Sequence, residues 1–193
     1  MMHTRTLLAF IITLSLLGCG SSPKTHYYTL NTPPISDTRS AATGPVILIG
    51  PITLPDLVDR PQLVLRSGDN QVEIRDTHRW AQSLKSEVAR ALAANLTLEA
   101  DTPRVYLLGQ TLSDEPDLRI AVDILRFESA PASHATIEAQ WSVRRKGTSK
   151  PITARGVVRE AVEGKTHADL VAAHSRAIAK LSSEIAATLR AQN

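Results

Sequence analysis

The side chains that could do chemistry are a scatter of histidines and loop acids, a basic triplet, two tryptophans and one cysteine. Catalysis needs converging polar groups: a nucleophile beside a base, metal ligands at matched spacing, or a glycine loop that cradles phosphate. His26, His78, His134, His167 and His174 lie far apart in the chain, and no two have the short spacing that puts a metal pair on one helix face. His167 is expected at an exposed first turn of a helix, and His174 at a partly buried position further along it. Asp56, Asp59 and Asp69 sit in loops, where carboxylates end strands or cap turns, and there is no Gly-x-Ser-x-Gly elbow or glycine-rich phosphate loop. Arg144, Arg145 and Lys146 read as a solvated strand end, with anionic lipid head groups as their alternative contact. Trp80 and Trp141 each fall in phase with an apolar stripe and read as core anchors. The expectation is a protein with no catalytic residue, no metal and no cofactor.

Cys19 is the one reactive group left, and as the only cysteine it has no disulfide partner in the chain. Ahead of it stand a charged start ending at Arg5, an apolar run from Leu7 to Leu17 and the small residue Gly18, the pattern of a secretory signal. A bilayer span needs roughly 20 apolar residues, and this shorter run is broken by Thr13 and Ser15, so it is expected to be cleaved off. Leu16-Leu17-Gly18-Cys19 resembles the lipobox of bacterial lipoproteins, with Leu17 a slightly unusual occupant of the tolerant position. The resemblance implies a diacylglycerol and an N-acyl chain on Cys19. A plain signal peptide ending near a cysteine is the alternative.

Those groups need elements to carry them. The chain has 193 residues, a formal net charge of +3 and cations scattered among acids, which suits one domain and gives no stripe for nucleic acid. Gly20 to Thr25 is small and polar, a tether. His26 to Leu30 is aromatic and β-prone, Asn31 to Pro45 reads as a loop, and Val46 to Leu54 is a strand in which Pro51 predicts an edge position or a bulge. Leu63 to Arg66 and Gln71 to Arg75 flank turn residues and predict a hairpin. Leu118, Ile120, Val122 and Ile124 alternate until Leu125 and Phe127 change the phase, predicting a bulge near Ile124. Ile137, Ala139, Trp141 and Val143 alternate without a fault, and Ile152 to Val162 follows after a turn at residues 146–150. Trp80, Leu84, Val88, Ala91, Leu92 and Leu96 predict one helix, with Gln82, Lys85, Glu87 and Arg90 turned away. Thr166 and Asp169 predict a capping box before the stripe Leu170, His174, Ala177, Ile178, Leu181, Ile185 and Leu189. The fold class expected is α+β: a mainly antiparallel sheet with two amphipathic helices packed on one face. The organisation expected is a signal peptide over residues 1–18, a lipidated tether over 19–25 and a single domain over 26–193.

Taken in order, LLGC, YYTL, ITLPDLVDRPQLVLR, RWAQSL, FES, QWSV and THADLVAAHSRAIAKLSSEIA make the chain similar to the auxiliary lipoproteins of ABC-type intermembrane transport systems, typified by the lipoprotein subunit of the paraquat-inducible transporter. The chain departs from that pattern at Gln82-Ser83, where an acidic residue and a proline are expected, which loosens the predicted helix start. The resemblance implies a non-catalytic component that docks an MCE-domain partner, in a ring-like homo-oligomer, on a path carrying phospholipids or similar molecules between membranes. Gly20 after the lipidated cysteine, in place of Asp, implies an outer-membrane address on the periplasmic face. Other envelope-assembly lipoproteins, which insert lipopolysaccharide or activate a cell-wall synthase, and a periplasmic hydrolase remain as rival readings. The proline-stiffened segment from Pro51 to Pro61 holds Leu57 and Val58, candidates either for contact with a partner or for cover of their own sheet edge.

Overall fold

The computed structural model describes residues 23–34, 44–112 and 114–191. Cys19 and the signal peptide, with part of the Asn31 to Pro45 loop, lie outside the described residues. Among the described residues, eight strands and two helices follow in the order β1 (His26–Tyr28), β2 (Ile47–Thr53), β3 (Gln62–Gly68), β4 (Gln71–Trp80), α1 (Leu84–Glu99), β5 (Val105–Leu107), β6 (Leu118–Ala130), β7 (His134–Arg145), β8 (Ile152–Ala161) and α2 (His167–Arg190).

The strands form two sheets, one of three in the order β1-β4-β3 and one of five in the order β5-β2-β6-β7-β8. The α+β class stands, but the pairing is mixed. β3–β4, β6–β7 and β7–β8 are antiparallel, whereas β1–β4, β2–β5 and β2–β6 are parallel. Each parallel pair joins strands distant in sequence, so no turn motif announces it. β2 also reads as parallel strands do, with Ile47, Leu48 and Ile49 buried in a continuous run.

Both predicted irregularities are present. β2 shifts register against β6 between Ile49 and Ile52, around Pro51, so the proline marks a bulge. β6 shifts against β7 between Ile124 and Arg126; Leu125 is the extra residue and points to solvent, while Phe127 returns to the core. In register across the sheet, Ile120, Val122, Ile137, Ala139, Trp141, Val143 and Val158 share the buried side against the helices. The other side carries Arg119, Asp123, Gln140, Arg144, Arg155 and Arg159, and Glu138 pairs there with Arg126 and Arg155.

α2 starts at the predicted capping box, Thr166 Oγ1 accepting from the Asp169 N–H and Asp169 accepting from the Thr166 N–H. α1 begins later than expected. Trp80 is the last residue of β4, and the helix opens at Leu84 behind Ser83, whose hydroxyl accepts from the Ser86 N–H. Ser83 thus supplies as an N-cap what the departure at Gln82-Ser83 was expected to remove.

Candidate functional site

The segment between β2 and β3 folds on itself as a tight turn: the Pro55 carbonyl accepts from the Val58 and Asp59 N–H groups at 3.0 and 3.2 Å. A turn this short sends neighbouring side chains opposite ways. Val58 enters the core of its own domain at 7% exposure, and Leu57 stays 47% exposed. The pair singled out in the sequence therefore divides. Leu57, Val72 and Leu125 are exposed and border a groove of about 140 Å3 whose lining also includes Val58, Val64 and Phe127. At its polar end Arg66 Nη2 donates to Glu128 at 2.8 Å. Burial opposes ionisation of Glu128, but the Arg66 bond and charge, with His134 and Arg126, together outweigh it and hold the carboxyl below its ordinary range.

Ser129 lines the same groove and shares a 2.8 Å hydrogen bond with His174 Nε2, a buried serine and histidine contact of the kind a hydrolase reading needs. A second such contact, Ser133 Oγ with His134 Nδ1 at 2.8 Å, joins adjacent residues and shares that nitrogen with Arg159. The surroundings of the buried pair argue against proton transfer. His174 is 1% exposed, stacks on Phe127 at 4.0 Å, and burial pushes its pKa down to about 3. An imidazole so reluctant to accept a proton is a poor general base near neutral pH. Its Nδ1 has no hydrogen-bond partner, so no carboxylate orients the ring as a triad requires. His174 is also more deeply buried than its expected half-buried place on the stripe.

The other histidines do not all stay apart. Parallel pairing sets His26 beside His78, their rings 5.2 Å apart, and His167 at the start of α2 stacks on His78 at 3.9 Å. The Tyr28 hydroxyl reaches His78 Nδ1 at 2.8 Å. His167 is thus half-buried in a ring stack, where an exposed first turn was expected. Burial first, then neighbouring histidine and Arg75 charges, lowers the pKa of His78 and of His167. No three histidine, cysteine or carboxylate residues among the described residues converge as metal ligands do.

Sequence reasoning also misplaced Glu87. It is wholly buried, accepts the Leu30 N–H at 2.9 Å and pairs with Arg90 at 2.5 Å. The spacing contained the signal: Glu87 stands three residues after Leu84 and four before Ala91, inside the apolar stripe.

The chain is thus a mixed-sheet α+β domain with an exposed apolar margin at the β2–β3 turn. In sequence it matches the ABC-type transport auxiliary lipoprotein component family over residues 28–186, and the chain belongs to that family. No curated protein matches the chain. Two crystal structures share the fold. One, of an uncharacterized protein, is 18% identical, covers 86% of this chain and 99% of its own, and gives a TM-score of 0.71. The other, a Xanthomonas campestris protein, is 16% identical, covers 88% and 100%, and gives 0.68. No described helix is long and apolar enough to cross a membrane.

Proposed function

We propose that this chain is a non-catalytic outer-membrane component of an ABC/MCE-type intermembrane lipid transport system, held on the periplasmic face by acyl chains on Cys19. The family match over residues 28–186 carries the reading. The buried, base-poor His174 supports the non-catalytic part. The domain docks an MCE-domain partner through the exposed apolar margin at Leu57, Val72 and Leu125, as one subunit of a homo-oligomer, while Val58 holds that margin to its own core.

Separate substitutions test the docking face. Leu57→Ser is expected to leave stability within about 0.5 kcal/mol of wild type, as exposed substitutions do, and to lose copurification with the MCE partner. Val58→Ser places an unpaired hydroxyl in the core and lowers the melting temperature, costing ~1–3 kcal/mol. Wild-type copurification yield from folded Leu57→Ser puts the docking face elsewhere. The anchor is tested by Cys19→Ser, which lacks the thiol that forms the thioether and is expected to accumulate as uncut precursor, because the lipoprotein peptidase acts on the modified precursor. Each buried methylene of the lost chains would hold the membrane by about 0.8 kcal/mol. Recovery of that variant in the outer membrane at normal gel mobility removes the anchor from the reading.

A further inference from the structure

A trough of about 540 Å3 runs between α1 and the outer margin of β2, within the roughly 300–1,000 Å3 of small-molecule sites. It exists because β5 stops at Leu107, opposite Ile49, while β2 continues to Thr53 and slips its register against β6. Beyond Ile49 the outer margin of β2 has no strand beside it among the described residues. Leu108, 60% exposed, folds over the backbone at Gly50, where φ is +133° and a Cβ would stand 2.6 Å from the Leu108 Cβ. Glycine is needed there for both reasons.

The wall is apolar, formed by Pro51, Ile52, Ala89, Leu107 and Leu108, and the rim carries the donors Gln82, Lys85 and Arg90. No aspartate or glutamate lines the trough. Lys85 Nζ forms a long, exposed ion pair with Asp59 at 3.8 Å, too long for a hydrogen bond, so its donors can turn to a ligand. Arg90 meets both Glu87 and the Leu30 carbonyl through Nη2. An added peptide strand fits poorly, because Pro51 has no N–H to pair with it. An apolar wall under a donor-rich rim, whose partner carboxylates Asp59 and Glu87 lie outside the trough, suits a ligand with a greasy body and an anionic oxygen head.

We propose that the trough binds a single-chain anionic amphiphile, its alkyl chain along Ile52, Ala89 and Leu108 and its carboxylate or phosphate at Lys85 and Arg90. This deepens the transport reading and rests on it only for the source of the ligand.

The test uses full-length lipidated protein in phosphatidylcholine nanodiscs, photolabelled with diazirine-bearing palmitic acid, the matching lysophosphatidic acid, or the same chain ending in trimethylammonium. At least one anionic probe is expected to label peptides containing Ala89 or Leu108 about tenfold more than the cationic one, the ratio that 1.4 kcal/mol of preference gives. The stronger of the two anionic probes identifies the head as carboxylate or phosphate. Ala89→Trp fills the trough and is expected to cut labelling about tenfold at an unchanged melting temperature. Lys85→Glu, at an exposed side chain, is expected to erase the anionic preference. Equal labelling by all three probes, or undiminished labelling in folded Ala89→Trp, overturns the site. If Ala89→Trp melts early, Lys85→Glu decides alone, and a retained anionic preference then overturns it. Copurification with the MCE partner, read on the same preparations, lets site and docking fail separately.

Discussion

β7 buries Ile137, Ala139, Trp141 and Val143 along one side of the large sheet, whereas β4 in the small sheet buries Trp80 alone. The large sheet is held by apolar area: α2 lies on β7 and β8, and the Trp141 indole N–H donates to Thr188 on α2 at 3.0 Å. The small sheet adds a second means of attachment. Leu63, Val64 and Leu65 of β3 enter the core, and Trp80 meets Phe127 edge-on at 6.2 Å. Its β1 side is fixed by polar joints, the Leu30 N–H to Glu87, the Asn31 N–H to Ser175 and the Ala81 N–H to the Tyr28 carbonyl. A strand that buries little apolar surface, as β1 does, can still be fixed where a buried N–H such as that of Leu30 has no acceptor other than Glu87, because leaving it unmade is costly.

The largest effect should come from the apolar half. Trp141→Ala empties a fully packed site and is expected to cost about 3–5 kcal/mol, whereas Gln140→Ala, its solvent-facing neighbour, should stay within ~0.5 kcal/mol. Denaturant melts of the two variants check this, and equal midpoints would mean that area on β7 does not hold the large sheet.

A smaller effect sits at His174, on α2 against Phe127 and Ser129 of β6. Its folded pKa of about 3 lies below the ordinary 6.5, so between those values the unfolded chain binds the extra proton. Stability is therefore complete above about pH 6.5 and falls as pH drops, by about 1.4 kcal/mol per unit until near pH 3. Between pH 6.5 and 4.5 the expected loss is ~2–3 kcal/mol. His78 and His167, lowered by burial and by neighbouring charges, act in the same direction. Urea melts at both pH values should show the slope in wild type and a flatter one in His174→Gln; identical slopes would remove His174 as its source.

The two halves were also unequally legible in the sequence. Local patterns were legible: alternation predicted β7, its change of phase predicted the β6 bulge near Ile124, and the Thr166 and Asp169 spacing predicted the capping box. β1 was foreseen as a strand and β4 only as far as Arg75, with Trp80 assigned to the helix, so the parallel pairing of β1 with His78 to Trp80 was not foreseen; His26 and His78 are brought together only by the fold. The histidine stack was hidden for that reason. Glu87 was misread for another: its charge suggested solvent, although its spacing placed it in the stripe. Leu57 and Val58 carry the same apolar character in sequence, and only the turn at Pro55 tells the exposed one from the buried one.

Glu87 gives the sharpest test of the polar half. Glu87→Ala removes the acceptor for the Leu30 N–H and the partner of Arg90 together, leaving a buried donor unmet, at an expected cost of about 1–3 kcal/mol. Glu87→Gln keeps an amide oxygen for Leu30 and gives up only the charge, so it should cost less than Glu87→Ala. The loss should also be local: hydrogen exchange is expected to quicken first at Leu30 and Ala81, whose N–H groups bond to Glu87 and to the Tyr28 carbonyl, while β7 stays protected. If Glu87→Ala instead exchanges uniformly across both sheets, the small sheet is not a separately fixed unit. If it melts with wild type and keeps Leu30 protected, apolar contacts alone hold β1, and the contrast between the two sheets fails.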